Sequence, residues 1–105
     1  MATNASELRR VVLDVLKPHS PDIVSFAREL SMIDGIDGVN ISVYEMDKEV
    51  ENVKVTLIGK FSDLESVKEV VSSSGGTIHS IDEVVAGRRE VREHQTLHDR
   101  FSHGV

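Results

Sequence analysis

Cysteine and tryptophan are both absent from the 105 residues. Without cysteine there is no disulfide, no thiolate metal site and no thiol nucleophile. One tyrosine and three phenylalanines leave few rings for stacking bases or sugars. Positive charge is also short: 12 Lys and Arg stand against 18 Asp and Glu, a net charge of -6. Affinity for nucleic acid rests largely on cations that neutralise phosphates, so this balance points away from nucleic acid and toward cations or a basic partner. No apolar run approaches membrane-spanning length. MATNASELRR lacks the apolar stretch of a secretory signal. The expected location is the cytoplasm, with no membrane. GxGxxG and P-loop motifs are missing, and so are the paired strand aromatics of an RNA-recognition domain.

What is present is patterned. LRRVVLDVLK, residues 8–17, reads as a strand with Val11, Leu13 and Val15 on one face and Arg10, Val12, Asp14 and Leu16 on the other. KPHSP breaks it. Ser20 is placed to cap a helix with Pro21 at its first position. Ile23, Phe26, Ala27, Leu30 and Ile33 then form one apolar stripe. Gly35 and Gly38 end that helix. VNISVYEMD, 39–47, alternates with Val39, Ile41 and Val43 inward. KEVEN is a turn, and VKVTLIG, 53–59, alternates again. Ser62 and Glu65 have capping-box spacing for a second helix, with Leu64, Val67, Val70 and Val71 as its stripe, and SSSGG stops it. GGTIHSIDEVVAG supplies the last strand.

The order β-α-β-β-α-β predicts an α+β ferredoxin-like sandwich, a four-stranded antiparallel sheet with two helices on one face. The expected domain is 8–86, preceded by an extension, 1–7, and followed by a polar tail, 87–105. The other sheet face then has no helix over it. Val12, Asp14 and Leu16 would meet Asn40, Ser42, Tyr44, Met46, Lys54, Thr56 and Ile58 there. That mixture is apolar enough to predict a homo-oligomer interface; the plainer alternative is a sheet face in water.

Asp14 is the sharpest oddity, a carboxylate amid Val and Leu in a central strand. It needs a partner or water: either a ligand or proton acceptor, or a salt bridge to Lys54. His79 and Ser80 point apart on a regular strand, which spoils a Ser-His-Asp relay. If His79 lies on the open face it stands beside Asp14, and the two form the start of a cation site, to which Glu45 and Asp47 add oxygens from a strand tip. Imidazole with carboxylate suits zinc; carboxylates and carbonyls alone suit calcium or magnesium. The plainer alternative is a structural histidine. His19, with Lys17 near, stands at the mouth of the first helix, where anions are favoured, or is an ordinary loop residue. His94 and His98 have zinc-competent spacing in the tail, with His103 and Asp99 nearby, but lack the Glu of HExxH.

VVLDVLKPHSP, GVNISVYEMD, ENVKVT and GGTIHSIDEVVAG together resemble the mainly archaeal family catalogued as domain of unknown function 211, in order over roughly residues 8–93. The resemblance implies a ferredoxin-like fold and ring-like homo-oligomers; the family has no assigned role. Asp14, Lys17, His19, Asn40, Glu45, Asp47, His79, Ser80, Asp82 and Glu83 fall in the matching blocks, which implies that several share a site or interface. The tail HQTLHDRFSHGV lies outside the resemblance. LSMIDGIDGVNISV followed by VKVTLIG is also similar to copper-chaperone domains, but KPHSPD stands where those carry CxxC. The glycine-rich loop is similar to that of ACT-type domains, which bind metabolites at subunit interfaces.

The expected function is a homo-oligomer that holds a ligand at or near its interfaces, foremost a divalent cation (calcium, magnesium or zinc) on Asp14, Glu45, Asp47 and His79. The second reading is an ACT-like metabolite sensor using Gly35, Gly38 and Asn40. The third is an enzyme with Asp14 and His79 as an acid-base pair; the sequence singles out no nucleophile.

Overall fold

The computed structural model describes residues 6–92. Its elements follow the expected order: β1 Leu8–Pro18, α1 Ile23–Ser31, β2 Ile36–Met46, β3 Val50–Phe61, α2 Glu65–Ser73 and β4 Thr77–Ala86. The sheet is antiparallel in the order β2-β3-β1-β4. This is the ferredoxin-like arrangement, with β1 and β3 central.

Strand alternation builds one core. Val11, Leu13 and Val15 of β1 and Val53, Val55 and Leu57 of β3 are fully buried against Phe26 and Leu30 of α1 and Val67 and Val71 of α2. Among the described residues no helix lies on the opposite face.

Local details differ from the sequence reading. The cap of α1 is Asp22, whose carboxylate accepts from the Ser25 amide at 2.8 Å, and not Ser20. The Ser62–Glu65 capping box does not form: Leu64 is the N-cap without a side-chain bond, and Asp63 accepts from the Glu65 amide at 3.0 Å. Gly38 lies inside β2, and of these two glycines only Gly35 takes positive φ. Val50, Glu51 and Asn52 are in β3, so the hairpin turn is shorter than KEVEN. The stop of α2 is as read. Gly76 donates to the Val71 carbonyl and Gly75, at φ 77, to that of Ser72, which is the Schellman arrangement.

The last strand departs most. The β1–β4 register shifts between Val12 and Leu13 and again between Asp14 and Val15. Asp82 and His79 are the extra residues at these bulges. Ile78, Ile81 and Val84 therefore pair with Val15, Leu13 and Val11, and residues three apart share the helix side. Two regular parities therefore do not describe this strand.

Candidate functional site

Two clusters hold the polar residues, one on the open face and one at the end of the sheet beside α1.

On the open face, Asp14 lies opposite Lys54 of β3 and Ser80 of β4. Its hydrogen bond goes elsewhere: the Tyr44 hydroxyl reaches across β3 and donates to Asp14 Oδ1 at 2.5 Å. Ser80 Oγ donates to Asp82 Oδ1 at 2.7 Å. Arg10 joins Glu83 at 3.3 Å and Glu90 at 3.6 Å. Val12, Tyr44, Lys54, Asp82 and Glu83 line a shallow depression of about 400 Å³. Leu16, Tyr44 and Ile58 stay 37%, 57% and 42% exposed.

The expected cation set is not brought together. Ser80, not His79, stands opposite Asp14, and His79 is an exposed bulge residue. This also removes the cross-strand placement that the acid-base pairing assumed. A bulge between Val43 and Glu45 sets Glu45 opposite Asn52, so it takes the parity of the open face and not the inward one. Asp47 is a turn residue: its Oδ1 accepts from the amides of Glu49 at 2.8 Å and Val50 at 2.9 Å. Those two bonds hold its carboxyl below the usual carboxylate range and engage Oδ1 within the turn. Among the described residues no three of His, Asp and Glu converge as a metal group. His94, His98, His103 and Asp99 lie outside the described residues.

The glycine loop has a packing explanation. Lys60 donates its amide to the Gly35 carbonyl at 2.8 Å, and a Cβ on Gly35 would fall on the Lys60 carbonyl oxygen. Asn40 is exposed and accepts from Ser42 Oγ at 3.4 Å.

The second cluster centres on Glu51 of β3. Lys17 is fully buried, and Glu51 is 5% exposed. Lys17 Nζ donates to the Pro18 carbonyl at 2.7 Å, to the Pro21 carbonyl, and to Glu51 Oε2 at 3.3 Å. Three donors thus meet three acceptors, and the ammonium lies 5.8 Å from the Phe26 ring centroid. Glu51 Oε1 is 2.9 Å from His19 Nδ1, and His19 Nε2 is 2.7 Å from the Asp47 carbonyl. A signal existed: Lys17 continues the buried parity of Val11, Leu13 and Val15, and Glu51 that of Val53 and Val55. A lysine on a core face requires an acceptor there.

Tyr44 is the chain's single tyrosine, and there is no tryptophan, so its ionisation is readable in an ultraviolet absorbance titration. The bond to Asp14 pushes its pKa up to about 12, with desolvation and the Asp14 charge adding to the rise. A raised pKa means that this contribution to stability is present below the ordinary value near 10 and is lost as pH climbs through about 12. In Asp14→Asn the phenol is expected to ionise near its ordinary value; an unchanged titration would show that the bond is not made in solution.

A family model, DUF211, described as "Uncharacterized ArCR", matches residues 9–100. The match runs past the resemblance read from the sequence and takes in His94 and His98. An uncharacterized protein of Methanocaldococcus jannaschii is 56% identical over 93 residues, covering 89% of this chain and 96% of that protein.

Proposed function

The chain belongs to the DUF211 family, and from that premise we propose a cytoplasmic protein that assembles with copies of itself through its open sheet face and holds a divalent cation at or near the interface. One observation carries the reading: this face is both apolar and acidic. Leu16, Tyr44 and Ile58 are exposed on a face that also holds Asp14 and Asp82, which form no ion pair among the described residues, beside Lys54 and the Arg10–Glu83 pair. A second copy takes the apolar part out of water. Apposed carboxylates repel each other, and a cation between them reverses that term. Asp14 and Asp82 are the ligands this chain offers, with carboxylates or waters of a second copy completing the shell. With His79 outside the set the donors are oxygens, which suits calcium or magnesium better than zinc.

Native mass spectrometry of the untagged protein tests both halves. The expected result is an oligomer with extra mass that a chelator removes, and a lower cation affinity with a looser assembly in Asp14→Asn. A monomer of bare mass would sink the reading. Tyr44 gives a second readout: a cation on Asp14 competes with the phenol, so added calcium is expected to lower its pKa from about 12.

A further inference from the structure

We propose that His19 is a pH-sensitive clamp, which in its doubly protonated form ties the β2–β3 hairpin tip to the buried Lys17–Glu51 pair and on losing a proton releases the tip. The inference goes beyond the self-assembly reading and does not depend on it.

The argument is one of counting protons. The Asp47 carbonyl 2.7 Å from Nε2 only accepts. Glu51 Oε1, 2.9 Å from Nδ1, belongs to a carboxylate whose other oxygen takes a hydrogen bond from the buried Lys17 ammonium. With the ammonium donating to one oxygen, the other oxygen of the carboxylate stands as an acceptor toward the ring. A neutral imidazole has one N–H and satisfies one of these acceptors; both together require the imidazolium. The ring is about one-third exposed, so protons reach it from solvent.

The charges around the ring come from each element that meets it. Glu51 faces it from β3 and Lys17 stands behind Glu51 on β1. Asp47 and Lys48 lie in the turn, and Asp22 caps α1. Glu51 dominates, being in direct contact. The hydrogen bond to Glu51, then that to the Asp47 carbonyl, hold the ring's pKa above its ordinary 6.5, against a smaller desolvation effect.

When the proton leaves, one of the two bonds is lost. Glu51 is 5% exposed, so solvent replaces its donor poorly, whereas Asp47 lies in an exposed turn. The carbonyl bond is therefore the one that breaks. Deprotonation frees the tip that also holds the Glu49 and Val50 amides on Asp47 Oδ1. Because the folded pKa is raised, the clamp's contribution is complete below about pH 6.5 and disappears as pH rises through the folded value.

The test is a proton NMR titration of the five histidines, with His19→Gln identifying the His19 signal, joined to thermal melts of both proteins. His19 is expected to titrate above 6.5 and to fall back toward it in Glu51→Gln. The wild type is expected to melt higher than His19→Gln at about pH 5.5, with the gap closing by about pH 9. Protection factors of the Glu49 and Val50 amides should fall over the same range in the wild type and stay flat in the variant. Titration of His19 at or below 6.5 overturns the clamp, and so does a melting gap equal at both pH values.

Discussion

Lys17→Met is expected to lower the unfolding free energy by about 3–5 kcal/mol, the loss seen when one partner of a buried ion pair is removed. The side chain is fully buried, and its ammonium answers three acceptors: the Pro18 and Pro21 carbonyls and Glu51. Methionine fills the same space without a proton to give. Glu51 is then left as a carboxylate at 5% exposure, with His19 as its remaining partner. Urea denaturation at neutral pH measures the loss. The pair does not add stability over an apolar replacement of both members. Lys17→Met with Glu51→Leu is therefore expected to recover much of what Lys17→Met loses. A loss under about 1 kcal/mol in the single variant would place it in the range of exposed pairs and contradict the buried network.

Gly35→Ala is expected to cost several kcal/mol, and Gly38→Ala little. Gly35 has φ 89, where an L side chain is strained by about 1–3 kcal/mol. A Cβ there also falls on the Lys60 carbonyl, and separating two backbones in a packed region costs roughly another 1–3 kcal/mol. Gly59 faces it from β3, and a Cβ on Gly59 would fall on the Gly35 carbonyl. The two glycines are thus a matched pair that lets the loop after α1 reach β3. At Gly38 a Cβ meets Ile58 at 3.4 Å, an ordinary contact, so the expected change stays within about 0.5–1 kcal/mol. Denaturation of the two variants side by side separates packing from ligand binding: a metabolite site in this loop would make Gly38 matter for a ligand while stability stayed the same.

The fold was legible because it is written in local periods. Val11, Leu13 and Val15, then Val53, Val55 and Leu57, repeat every second residue; Phe26 with Leu30, and Val67 with Val71, repeat every fourth. Each period names an element, and the element order leaves one economical layering. The open face was legible too, since two helices cover one side of a sheet. His79 shows where this stops. Strict alternation left two choices of face for it, and the bulges in β4 changed the alternation itself. Glu45 was displaced by the same cause in β2. A bulge depends on how two strands are held against each other, and neither strand's own sequence carries that.

The sequence by itself therefore determined the element order, the buried face of each regular strand, and the absence of thiol chemistry. Tertiary structure alone decided the partners. Lys17 and Glu51 are 34 residues apart, His19 and Glu51 32, and Tyr44 and Asp14 30. The physical reason is one of range. Burial imprints a short period on a chain, but a hydrogen bond between distant residues needs two strands in one exact register, fixed by every pair along them at once.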